Sequence, residues 1–232
     1  MARLARMVIP GVPHHVTQRG NRRERIFFEA GDEQIYLDLL AAQLKRHAVE
    51  CWAYCLMPNH VHLILTPSDE NGLARAVGET HRRYAAFISV RSGWTGHLFQ
   101  ARFASVAMDE AHLLAAFRYV ALNPVNAKLV DRAQDWPWSS VNAHLASMDS
   151  GPVVVVPGLE RIGDFAAFLE DTPEDGARWA EVLKAEHVGR PVGAKAWIEQ
   201  LEAMSGKILS PRKRGPKPKN KPEGEGEGDV LF

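Results

Sequence analysis

Cysteine is almost absent from this 232-residue chain, which carries only Cys51 and Cys55. Two thiols are too few for a disulfide framework, so the small cross-linked secreted scaffolds are excluded and a reducing compartment is expected. The two stand four apart in an expected strand, where side chains alternate, so they should share a face without needing to bond. Long hydrophobic runs are missing too. No stretch approaches the roughly 20 apolar residues of a membrane span. In "MARLARMVIPGVP" the apolar run is cut short by Pro10, Gly11 and Pro13, unlike a secretion signal. A cytoplasmic location with no membrane partner is expected. Net charge is also lacking, since 28 basic residues balance 28 acidic ones. Taken alone, that balance argues against a uniformly basic nucleic-acid binder. No internal repeat is present.

The charge that exists is segregated. Residues 1–30 hold Arg3, Arg6, Arg19, Arg22, Arg23 and Arg25 against Glu24 and Glu29, and "KILSPRKRGPKPKNK" carries seven Lys/Arg and no acid. Acids gather in residues 160–186 and in the last ten positions. Because salt screens charges beyond about 8–10 Å, local basic patches attract phosphate whatever the total charge.

A hydrophobic content of 46% supports a sizeable core in one domain plus an appendage. "PHHVTQRGN" reads as a strand ending in a Gly-Asn turn that exposes Arg22 and Arg23. Asp32 is expected to cap a helix running to about Arg46. "CWAYCLM" and "HVHLILT" read as strands joined through Pro58-Asn59, followed by a helix from about Leu73 to Val90. "HLFQARFASVAM" reads as a further strand, and Asp109 caps a helix that Asn123-Pro124 should end. This order predicts an α+β domain over residues 1–150, an antiparallel sheet flanked by helices, closed by the tryptophans of "DWPWSS". Residues 151–209 read as a small helical accessory region built from "RIGDFAAFLED", "DGARWAEVLKAEH" and "AKAWIEQLEAM". Residues 210–232 read as a disordered tail, basic then acidic.

Two histidines interrupt the strand "MPNHVHLIL". Side chains two apart project from one side of a strand, about 7 Å apart. His60 and His62 therefore share a face, while Val61, Leu63 and Leu65 make the other face hydrocarbon. The pair suits a metal ion or, more blandly, a solvated strand face. In the helix after Asp109, Leu113, Leu114, Phe117, Val120 and Ala121 cluster on one side. Tyr119 lies nearly opposite, with Asn123 one turn further along the same side. The tyrosine is either a surface residue or a phenol aimed, with the carboxamide, at the histidine strand.

"MPNHVHLIL" and "RYVALNPVNAKLV", preceded by "PHHVTQRGNRRERIFF" and joined by "GHLFQARFAS" and "WPWSS", resemble the REP-associated tyrosine transposases. These are a branch of the single-tyrosine HUH transposases, and the likeness covers about residues 8–145. It implies an HUH-nuclease fold with a ferredoxin-like palm, His60 and His62 as ligands of Mg²⁺ or Mn²⁺, and Tyr119 as nucleophile. Asn123 takes the position of a third metal ligand. Imidazole ligands suit Mn²⁺ better than Mg²⁺, whereas the resemblance allows either. The implied activity is cleavage and transfer of single-stranded hairpin DNA, of the repetitive extragenic palindrome type, through a 5′-phosphotyrosine. A nucleoid-associated monomer is implied, with a dimer left open. No side chain stands out as the general base.

Arg19, Asn21, Arg22 and Arg23 form a first candidate DNA surface, and Gln100 and Arg102 a second. The alternatives are a solvated charged turn and a salt bridge flanking the core. In the tail, Lys213 and Arg214 belong to "PRKRGPKP", which lacks the second core arginine of an AT-hook and favours phosphate contact over base reading. Three rivals compete with the enzyme reading. One is a binding regulator of the same fold without chemistry. Another is a zinc module using His60, His62, Cys51 and Cys55. A two-histidine phosphoesterase would need two H-x-[ST] motifs, and only His15-Val16-Thr17 qualifies.

Overall fold

The computed structural model describes residues 7–171, 175–186 and 188–209. Four strands, β1 (His14–Arg19), β2 (Val49–Met57), β3 (His60–Pro67) and β4 (Ala104–Ala107), form one antiparallel sheet in the order β2-β3-β1-β4. Helices α1 (Asp32–Arg46) and α2 (Gly72–Ser92) cover one face, and α3 (Glu110–Asn126) covers the other. Five shorter helices follow: α4 (Val141–Leu145), α5 (Val156–Ile162), α6 (Phe165–Glu170), α7 (Gly176–Glu186) and α8 (Lys195–Ser205). Among the described residues no helix is long and apolar enough to cross a membrane.

The alternation in β3 sorts the two faces as expected. Val61, Leu63 and Leu65 are fully buried with Leu40, Leu73, Val77 and Tyr84 of α1 and α2. Each such side chain contributes on the order of 2 kcal/mol by leaving water. Ile64 joins Val106, Leu113, Phe117 and Val120 under α3. In β2 the alternation breaks, because the register with β3 slips between Cys51 and Ala53. This bulge puts Trp52 and Ala53 together on the α3 face, so Cys51 lies in the α1/α2 core and Cys55 in the α3 core. The shared face expected for the two cysteines is overturned by that one extra residue.

Three other local expectations change. Gly31, with φ 97°, occupies the N-cap of α1, and Asp32 is its first residue. The Asp32 carboxylate instead accepts from the Phe28 and Glu29 amides at 2.8 and 3.0 Å and binds Arg91 in a two-point contact at 2.6 and 2.9 Å. Helix α3 runs past Pro124 to Asn126, because the Ala127 amide still reaches the Asn123 carbonyl at 2.9 Å. Only four residues of "HLFQARFASVAM" are strand, with Phe99 adding an isolated bridge to Gly20. "RIGDFAAFLED" splits at Gly163, whose φ of 74° suits glycine, and Asp164 caps α6 through the Ala166 and Ala167 amides.

The segment around "DWPWSS" shields the β2 edge of the sheet. The Leu56 amide donates to the Trp138 carbonyl at 2.8 Å, Trp136 Nε1 donates to the Leu56 carbonyl at 3.0 Å, and the Ser140 amide reaches the Tyr54 carbonyl. Both tryptophans are half-buried, so they seal an edge more than a centre. Downstream helices dock along α3. Arg118 stacks 3.8 Å over the Phe168 ring, donates to the Phe168 and Asp171 carbonyls, and pairs with Asp175 at 3.1 Å. The tail, with Lys213 and Arg214, lies outside the described residues.

Burial alone would push the Asp32 carboxyl up, but the Arg91 guanidinium and the two amides outweigh it and hold it below its ordinary value. A depressed carboxylate adds stability above its unfolded pKa of about 4, and that stability is lost as pH falls through the folded value. Asp32→Ala should therefore cost about 2–3 kcal/mol in urea unfolding at pH 7. The gap to the unsubstituted protein should shrink below about pH 4. An equal gap at both pH values would show that the pair does not act through charge.

Candidate active site

On the α3 side of the sheet, pairing of β1 with β3 sets Arg19 opposite His60 and Thr17 opposite His62. His15 shares this face and reaches back to His62, its Nε2 lying 2.9 Å from His62 Nδ1. The rings of His60 and His62 are 4.8 Å apart, centroid to centroid. Tyr119 approaches His62 edge-on at 5.5 Å. The helix therefore turns its phenol toward the histidine strand, and Asn123, buried one turn later, follows it.

The hydrogen bonds select ring tautomers. Asn59 Nδ2 donates to the Arg23 carbonyl at 2.9 Å, which leaves Asn59 Oδ1 to accept from His60 Nδ1 at 2.6 Å. The lone pair of His60 then sits on Nε2. His62 Nε2 is buried without a hydrogen-bond partner, as is Asn123 Nδ2. Unpaired buried polar atoms cost about 1–3 kcal/mol each, so an unpaired His62 Nε2 on the face shared with His60 is the kind of atom a ligand would satisfy. Burial, with Arg19 and His15 adding to it, pulls the His60 pKa down to about 4, and the same causes with His60 hold His62 well below its ordinary value. Neutral imidazoles are the metal-binding form.

Two neighbouring neutral imidazoles, His62 Nε2 among them without a partner, are donors that suit a divalent ion. Among the described residues, no three or more His, Cys, Asp or Glu side chains are arranged to hold a metal ion by themselves. Burial raises the Tyr119 pKa. The Asn123 amide, close to the hydroxyl but not in a well-formed hydrogen bond, works the other way, Glu186 adds to the rise, and Arg19 opposes it.

The candidate DNA residues meet beside this site. The Gln100 amide donates to the Arg19 carbonyl at 3.0 Å and the Asn21 amide to the Leu98 carbonyl at 2.8 Å, joining the two expected surfaces. Arg22 and Arg23 adopt left-handed backbone, φ 52° and 65°, in a tight turn. Arg22, Arg23, Gln100 and Arg102 are exposed. Among the described residues, none of Arg19, Arg22, Arg23 or Arg102 pairs with a carboxylate.

Sequence reasoning missed three neighbours. His15 was weighed only within His15-Val16-Thr17, and its contact with His62 depends on strand register. Trp179 and Glu186 come from α7. Trp179 stacks on Tyr119 with centroids 3.7 Å apart at 17° and meets His15 edge-on at 5.1 Å. No local signal in "DGARWAEVLKAEH" points to Tyr119, because the contact spans sixty residues of chain.

Residues 10–123 match the family model described as Transposase IS200 like. That stretch, which holds both histidines, Tyr119 and Asn123, belongs to this family of DNA transposases. More particularly, the fold is that of a solved REP-associated tyrosine transposase bound to a REP hairpin. The two are 21% identical with a TM-score of 0.54, over 66% of this chain and 92% of that one. A putative transposase from Deinococcus radiodurans also aligns, at 20% identity and a TM-score of 0.36, over 51% of this chain and 95% of that one. No curated protein matches the chain.

With its two cysteines on opposite sheet faces, the zinc module has no geometry to stand on. Burial pushes the Cys51 thiol up to about 12 and the Cys55 thiol higher still. Neither should react with Ellman's reagent at pH 8 in the native protein, and both should react in denaturant. Rapid native labelling of either would contradict this packing.

Proposed function

We propose that the protein is a metal-dependent single-stranded DNA endonuclease and strand transferase acting on hairpin DNA through a 5′-phosphotyrosine. The observation that carries this reading is the meeting of the Tyr119 ring with His62, itself against His60, across two separate elements. His60 and His62 would hold Mg²⁺ or Mn²⁺ through Nε2, with Asn123 as a third donor. The chemistry such an ion supplies is neutralisation of charge on the non-bridging oxygens of the scissile phosphate.

Tyr119 Oη attacks phosphorus in line. The new bond joins Oη to phosphorus, the bond to the 3′-oxygen breaks, the phenolic proton leaves, and the 3′-oxygen gains a proton. Storing the linkage as a phosphotyrosine lets a second 3′-hydroxyl reverse the step without ATP. Arg19 lies on the site face and opposes the burial cost of the phenolate. Arg22, Arg23 and Arg102, which pair with no carboxylate among the described residues, line an approach for the strand with Asn21 and Gln100. Lys213 and Arg214 would add phosphate contacts from the tail. The hairpin substrate is carried over from the solved relative bound to a REP hairpin, and a nucleoid-associated monomer is the simplest assembly.

Labelled single-stranded hairpins bearing a short 5′ flank, incubated with Mn²⁺ or Mg²⁺, should yield a covalent protein–DNA adduct stable to denaturation. Tyr119→Phe should abolish the adduct, a loss of at least about 1,000-fold, while hairpin affinity stays within about twofold. Hairpin binding with no adduct under any metal would favour the alternative, a regulator of the same fold that binds without chemistry.

A further inference from the structure

Helix α7 of the downstream region brings a carboxylate to the back of the histidine pair. Glu186, the last residue of α7, places Oε1 2.8 Å from His15 Nδ1. The approach is angled more poorly than a true hydrogen bond, yet among the described residues neither atom has another hydrogen-bond partner and His15 is fully buried. On the other side of the ring, His15 Nε2 meets His62 Nδ1 at 2.9 Å. Trp179, one face on Tyr119 and its edge on His15, fixes α7 in this position. His112 Nε2 contacts Glu181 at 3.1 Å and secures the middle of the same helix.

We infer that Glu186 and His15 are positioning residues, a carboxylate–imidazole–imidazole relay that keeps the Nε2 lone pair of His62 free for a metal ion. The logic is one of hydrogen placement. For His62 Nε2 to ligate, its ring hydrogen must sit on Nδ1 and point at His15. His15 Nε2 must then accept, so the His15 hydrogen must sit on Nδ1, the nitrogen beside the Glu186 carboxylate. Without that carboxylate, His15 can carry its hydrogen on Nε2 and donate to His62 Nδ1. The His62 hydrogen would then move to Nε2 and block the ligand position. Outer partners of this kind commonly change metal affinity 10–100-fold. The metal-ligand role of His62 is the reading proposed above, and the relay rests on it. What the relay adds is that an acid some 125 residues away in sequence governs that ligand.

The test uses the full-length protein and two readouts. Long-range ¹H–¹⁵N spectra of the histidine rings report tautomers in the metal-free state, and Mn²⁺ titration by electron paramagnetic resonance reports affinity. Glu186→Ala should shift His62 from the Nδ1–H toward the Nε2–H form and weaken Mn²⁺ binding at least about tenfold. Glu186→Gln, isosteric and still an acceptor through its amide oxygen, should retain most of both. Lys184→Ala, an exposed residue of the same helix, should leave both unchanged. An unaltered His62 tautomer or unaltered Mn²⁺ affinity in Glu186→Ala would overturn the relay. If the unsubstituted protein binds no Mn²⁺, the metal reading fails, while the tautomer spectra still decide whether Glu186 controls His62.

Discussion

The antiparallel pairing of β1 with β3 is the constraint on which the site depends. Its register sets Arg19 beside His60 and turns His15, His60 and His62 to one face. A slip of one residue would send the imidazoles into the α1/α2 core and bring Val61, Leu63 and Leu65 out of it. Hydrocarbon packing therefore enforces the register, and the register gathers the imidazoles. The stabilising face and the reactive face are two sides of the same strand.

On the histidine face, α3 completes the arrangement: Tyr119 meets His62, and Asn123, one helical turn later, is buried beside the phenol. The cost is visible in buried polar atoms without partners, His62 Nε2 and Asn123 Nδ2. Such atoms persist where the surrounding fold over-determines their positions. Here the support comes from the sheet below and from α7 above, whose Trp179 covers the Tyr119 ring. The downstream helices are thus part of the environment of the tyrosine, held to α3 by Arg118 and His112.

Zero net charge conceals a division of labour among the arginines. Arg91, Arg118 and Arg161 are tied to carboxylates and brace helices. Among the described residues, Arg19, Arg22, Arg23 and Arg102 pair with no acid; Arg19 lies opposite His60 and the Arg23 carbonyl accepts from Asn59. An electrostatic surface suited to phosphate is therefore compatible with a neutral chain.

Much of this was legible in the sequence. The two-residue alternation of "HVHLIL" assigned faces, the helical spacing of Leu113, Phe117 and Val120 isolated Tyr119 with Asn123, and the ordered motifs named the family. Each signal is local, and local periodicity is fixed by backbone geometry alone. What the sequence could not supply was decided by long-range packing: the bulge at Trp52 that parts the two cysteines, the pairing that couples His15 to His62, and the docking of α7. Alternation cannot register an inserted residue, and no local pattern encodes which strand or helix a side chain will meet across the core. The sequence by itself determined which residues could do chemistry, and only the tertiary structure decided their neighbours, because contacts between distant segments are set by how whole faces bury one another.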